Sequence, residues 1–154
     1  SGCSSVSQMA NYLAICLDRG GHAEMSCIAG VGGDVPSLVQ LAKSGRAVVA
    51  LDGCPLHCVK NCLARHAVAP KHHVTLTRFG IKKRLHLEFS EDQAVSVFRD
   101  LVGVLEGKLT VEQIGVSIES SPDVTVDAAV APSVPPQGNI AAPGNIAPQA
   151  SVAS

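Results

Sequence analysis

The chain has 154 residues, 46% apolar and 16% charged, with a formal net charge of −1. This is one domain's length with enough apolar material for a single core, which excludes a fibrous or wholly unstructured chain and disfavours nucleic acid or anionic lipid as partners. No stretch reaches the roughly 20 apolar residues of a membrane helix, the first residues lack the pattern of a signal peptide, and a soluble, cytoplasmic protein is expected.

Ser5 is placed to cap a first helix whose apolar stripe carries Met9, Leu13, Cys16 and Leu17, and Gly20-Gly21 stops it. Residues 23–29 (AEMSCIA) read as a short strand running into the loop of Gly30, Gly32 and Gly33. Asp34 then caps a second helix with Val35, Leu38, Val39 and Ala42 inward and Gly45 as its stop. Ala47 to Leu51 is an unbroken apolar run, the pattern of a strand covered on both faces of a parallel sheet. Asp52-Gly53-Cys54-Pro55 turns the chain into a helix that reaches about His66, since proline suits a first helical turn. Val74 to Phe79 supplies a further strand. Ser90 and Gln93 form a capping box ahead of Val95, Phe98, Val102 and Leu105 at helical spacing.

This alternation predicts a three-layer α/β fold: an open, mostly parallel sheet flanked by helices, Rossmann-like in plan. It is assigned to residues 1–106, with a C-terminal extension over 107–126. From Asp127 to Ser154 one charged residue stands among many Ala and Pro, and the unit Gly138-Asn139-Ile140-Ala141 is echoed at Gly144-Asn145-Ile146-Ala147. Such a segment buries too little surface to offset its ordering entropy, and a disordered tail is expected there.

Six cysteines in a chain without export signals point to metal binding or thiol chemistry rather than a disulfide framework. Ligands of open α/β sheets bind beyond the carboxyl ends of the strands, where loops converge. Cys27 falls near the end of one strand, Cys54 just after the central one, and Cys3 in the turn before the first helix. Cys58 and Cys62 follow Cys54 at successive intervals of four, so all three can share one face of the helix. A divalent ion relieves repulsion among neighbouring thiolates, and a helix N-terminus favours the thiolate form. Buried free cysteine also serves as a small apolar side chain. That bland role is preferred for Cys16 on its helix stripe, and it competes evenly with ligation at Cys62.

Three segments, Ser1-Gly2-Cys3-Ser4-Ser5-Val6, Met25 to Gly33 (MSCIAGVGG) and Leu51-Asp52-Gly53-Cys54-Pro55-Leu56-His57-Cys58, resemble the DGC-domain zinc-binding proteins, a family named for the Asp-Gly-Cys matched by Asp52, Gly53 and Cys54. The similarity spans about Ser1 to Glu106. It implies a zinc site built on four cysteines, three of them matched by Cys27, Cys54 and Cys58. The fourth position of the pattern precedes Ser1, which leaves Cys3 as an additional thiol or a substitute ligand. The expected metal residues are therefore Cys27, Cys54, Cys58, Cys3 and Cys62, and the expected cofactor is zinc. A thiol redox or sulfur-transfer protein, and an iron–sulfur protein, are the alternatives.

The loop from Gly30 to Asp34 is better read as a tight turn placing Cys27 than as a nucleotide cradle, since it lacks the full dinucleotide fingerprint. Asp52 is expected to orient backbone N–H groups of the Cys54 turn. His57 faces away from Cys58 on a helix, His66, His72, His73 and His86 show no ligand spacing, and Lys82-Lys83-Arg84 reads as a solvated patch.

Overall fold

The computed structural model describes residues 2–114 and 150–153. Four parallel strands, β1 (Glu24–Ser26), β2 (Ala47–Asp52), β3 (His72–Thr75) and β4 (Ala150–Ala153), form one sheet in the order β1-β4-β2-β3. Among the described residues five helices accompany it: α1 (Ser5–Arg19), α2 (Ile28–Gly32), α3 (Pro36–Ala42), α4 (Cys58–Arg65) and α5 (Glu91–Leu105). The expected three-layer parallel architecture is present.

Alternation along the strands divides the core between the two faces. Val49 and Leu51 of β2, with Val74 and Val152, meet Leu13 and Leu17 of α1 and Val97 and Leu101 of α5. Val48 and Ala50, with Ala153, turn the other way onto Ile28 and Val31 of α2 and Val59 and Leu63 of α4. A strand covered on both sides leaves no exposed position, which is why Val48 to Leu51 are all buried and read as an unbroken apolar run, with the buried Asp52 ending the strand. Beyond α5 the first core continues, with Ile114 buried and Leu109 and Val111 packed against it.

Several boundaries differ from the sequence reading. The first helix is capped at Ser4 rather than Ser5, and the Ser4 hydroxyl bonds Ser7 Oγ at 2.9 Å instead of a backbone N–H. The strand expected over 23–29 is only Glu24–Ser26, because the chain coils into α2 directly after Cys27. The glycine loop is thus mostly helix, with the N–H groups of Gly30 and Val31 donating to Cys27 O at 3.1 Å. Asp34 does not cap α3: Val35 does, with Pro36 opening the helix, and Asp34 adopts a left-handed φ of 61°. It pairs instead with Arg65 at 3.0 Å and His66 at 3.2 Å, tying the end of α4 to the α2–α3 turn. The strand expected over 74–79 is His72–Thr75, and a 3-10 turn at Leu76–Phe79 replaces the rest.

The tail needs one correction. Residues 127–149 lie outside the described residues, but Ala150–Ala153, assigned by composition to an unstructured tail, is a central strand. It pairs Met25 with Val152 on one side and Val49 with Val152 on the other. Four small or β-branched residues are too few to show periodicity, and the slot between β1 and β2 supplies the partners that the segment alone lacks. Among the described residues no helix is long and apolar enough to cross a membrane.

Candidate thiol site at the carboxyl edge of the sheet

The Asp-Gly-Cys triplet ends the central strand, and each of its residues has a separate structural task. Asp52 is 3% exposed and accepts from Val59 N at 2.9 Å and Lys60 N at 3.2 Å, so it satisfies two first-turn N–H groups of α4 from outside that helix. Its second oxygen also lies 2.9 Å from His73 Nε2. The carboxylate therefore orients backbone N–H groups, as expected of it, but those of α4 rather than of the Cys54 turn. A Cβ at Gly53 would lie 2.7 Å from Val6 C and O, so only glycine lets the start of α1 approach the strand end. Cys54, third in the triplet, projects its thiol beside that junction.

Helix α4 begins later than its proline suggests. Cys54, Pro55, Leu56 and His57 form a turn closed by His57 N donating to Cys54 O at 3.1 Å, and His57 takes a left-handed φ of 50°. Only Cys58 and Cys62 are then on the helix, and Cys54 reaches the same place from the turn. His57 sets its ring edge-on to His73, with centroids 4.8 Å apart. Cys62 faces α2 across a gap that exists because residue 32 is glycine, since a Cβ there would come within 2.9 Å of Cys62 Sγ.

Cys54, Cys58 and Cys62 line one cavity of about 160 Å³, floored by Leu51 and Val59 and walled by Ile28, Ala29 and Gly32 of α2. Clefts of about 780 and 730 Å³ elsewhere contain no cysteine, so the thiols gather in a smaller cavity. Cys27, at the N-cap of α2, and Cys3, ahead of α1, are both exposed and do not line the cavity. Cys16 is half-buried beside Tyr12 at the edge of the first core, short of the core position expected for it. Burial pushes its thiol up from the ordinary range, against the lowering effects of the Tyr12 hydrogen bond and the Arg19 charge.

All six cysteines are free. Three thiols on one cavity have the donor chemistry that suits zinc, yet among the described residues no three His, Cys, Asp or Glu side chains are grouped closely enough to hold one ion.

Two participants escaped the sequence reading. Lys83 Nζ lies 3.5 Å from Cys54 Sγ and donates to it, although its basic run reads as a solvated patch. His73 holds Asp52 from β3, where it pairs with Ala50 across the ladder. The two lie 29 and 21 residues from their partners, and no local spacing announces such contacts.

Comparison with known proteins gives the family and a relative. The family model described as the DGC domain matches residues 1–101. The anaerobic and virulence modulator AnvM of Pseudomonas aeruginosa is 59% identical over 105 residues, covering 68% of this chain and 80% of that protein. No solved structure matches the chain.

Proposed function

The chain belongs to the DGC-domain family, and we propose that it is a thiol-exchange protein whose reactive group is Cys54, with Cys58 and Cys62 as resolving thiols. The carrying observation is the juxtaposition at Cys54: an ammonium donates to its sulfur from 3.5 Å, and two further thiols share its cavity. A cationic, partly exposed setting is where reactive cysteines are found. In the step proposed, the Cys54 thiolate attacks a sulfur of a substrate disulfide, forming one S–S bond and breaking another, and the displaced thiolate takes a proton from solvent. Cys58 or Cys62 then attacks Cys54, releasing the second substrate thiol and leaving a protein disulfide, so two electrons pass from this chain to the substrate. The name of the Pseudomonas relative, which ties that protein to anaerobic conditions, accords with redox work in a reducing, cytoplasmic setting.

Zinc binding is the second reading, favoured by the same three thiols on one cavity. Cys54, Cys58 and Cys62 would have to draw closer together than they stand here to hold the ion, and Cys27 or Cys3 would have to move in from outside the cavity to add a further donor. Bound zinc would supply a structural cross-link or a Lewis acid. One experiment separates the two. Reduced protein prepared without oxygen is assayed for metal content, then treated with oxidised glutathione and mapped for disulfides. Exchange predicts metal-free protein forming a disulfide that joins Cys54 to Cys58 or Cys62, abolished by Cys54→Ser. Stoichiometric zinc that is lost in Cys54→Ser and Cys58→Ser but kept in Cys16→Ser would overturn exchange in favour of the metal reading. Visible absorption with bound iron would overturn both in favour of a cluster.

A further inference from the structure

The apolar surface of this protein is distributed unevenly. Among the described residues the exposed large apolar side chains are Val35, Leu56, Leu85 and Leu87, and the three leucines are 65%, 55% and 60% exposed. Leu56 sits within the turn between Cys54 and Cys58, and Leu85 and Leu87 follow the lysine that touches Cys54. The same segment carries Lys82, Lys83 and Arg84, which form no ion pair among the described residues. On a chain of net charge −1, this cationic cluster is a local feature.

The segment is held in place rather than free. Arg84 N donates to Ser5 Oγ at 3.0 Å, Ser5 N donates to Arg84 O at 2.9 Å, and Ser4 bridges Leu85 in antiparallel fashion. These bonds fasten it to the start of α1, the backbone that Gly53 abuts on the other side. Beside it opens a groove of about 320 Å³ with Met9, Ile81 and Phe89 in its lining, Lys82 and Arg84 as its cations and Glu88 as its anion.

We infer that this face docks a protein partner through an acidic, leucine-rich segment, and that the substrate disulfide of Cys54 is presented by that partner. The inference rests on the exchange reading for its chemistry but not for its surface. Exposed Leu85 and Leu87, in the same short segment as Lys82 and Arg84, supply apolar and cationic contacts for a protein partner, and charge complementarity selects an acidic partner over a basic one. A tripeptide disulfide such as glutathione offers none of the leucine contacts.

The test uses the full chain and synthetic peptides. A Glu/Leu peptide, a Lys/Leu peptide and glutathione each carry one cysteine as the mixed disulfide with thionitrobenzoate, and its release by the wild type less that by the Cys54→Ser protein, which retains the other exposed thiols, reports attack by Cys54. The Glu/Leu probe should react about tenfold faster than either of the others at low salt, an advantage shrinking as salt screens the cations. Leu85→Ser with Leu87→Ser, or Lys82→Glu with Arg84→Glu, should erase that preference while leaving the glutathione rate within about twofold. Equal rates for all probes, or a preference that survives both surface variants, would overturn the docking face. Fluorescence anisotropy of a cysteine-free Glu/Leu peptide on the Cys54→Ser protein separates the two claims. Binding there without exchange in the wild type means that the thiol reading fails and the surface stands. Exchange without preference or binding means the reverse.

Discussion

The two faces of the sheet are built to different ends. One carries α1 and α5, each 15 residues long, over a continuous layer of fully buried Met, Leu and Val side chains. The other carries α2, α3 and α4, of five, seven and eight residues, over a smaller cluster; α3 has no buried residue, and Cys62 is packed in among the aliphatics. Long helices bury a wide stripe and hold the fold. Short helices bury little, but α2 begins directly after β1 and α4 shortly after β2, so both can bring a side chain to the carboxyl edge. The first face thus holds most of the core, while the thiol cavity sits at the carboxyl edge and draws its lining from both faces, Ala10 and Leu51 from one and Ile28 and Val59 from the other, with Asp52 and Gly53 where the two meet.

Substitutions on either face should expose that division. Leu13→Ala removes a completely buried side chain of α1 and should cost about 3–4 kcal/mol in urea unfolding, a large part of a small domain's stability. Cys54→Ser should change stability by about 1 kcal/mol or less yet abolish disulfide exchange. A Cys54→Ser protein that unfolds as readily as Leu13→Ala would erase the contrast.

At the junction, Gly53→Ala drives a methyl into the backbone of Val6 and Ser7, and neither neighbour is a flexible side chain that can yield. A loss of about 3 kcal/mol is expected, with alkylation of Cys54 altered in the fraction that still folds. Unchanged melting and unchanged alkylation would mean that the close approach has no bearing on the site.

The smallest effect concerns Cys16. Its thiol is raised chiefly by burial, so the folded state holds that proton to higher pH than the unfolded chain does. Its contribution to stability is present below the unfolded value and is lost as pH rises through the folded one. Cys16→Ala should flatten the alkaline limb of the stability profile, and at a fixed pH iodoacetamide should label the half-buried Cys16 more slowly than the exposed Cys58. Simultaneous labelling of both would remove the distinction between the half-buried thiol and the site thiols.

Much of this plan is legible along the chain because it depends on local rules. The unbroken run at Ala47 to Leu51 suits a strand covered on both faces, and Ser90 with Val95, Phe98, Val102 and Leu105 marks a helix, although the buried stripe runs one residue round, through Ala94, Val97, Leu101 and Val104. The motif around Asp52, Gly53 and Cys54 marks the strand end that bears the thiol. The boundaries near the site are less legible, because Asp34 and His57 take the left-handed backbone that glycine more often supplies, and so shift the starts of α3 and α4. The strand at Ala150–Ala153 lies hidden in a composition that argues for disorder.

By itself, then, the sequence determined the parallel α/β plan, the apolar centre and the spacing that sets Cys58 four residues ahead of Cys62 on one helix. Tertiary structure alone decided that Lys83 meets Cys54, that His73 holds Asp52, that Cys54 joins those two thiols from a turn, and that Cys3 and Cys27 stay outside their cavity. The reason is range: periodicity and capping report interactions within a few residues, whereas these contacts join segments 21 to 29 positions apart, brought together only when the strands align.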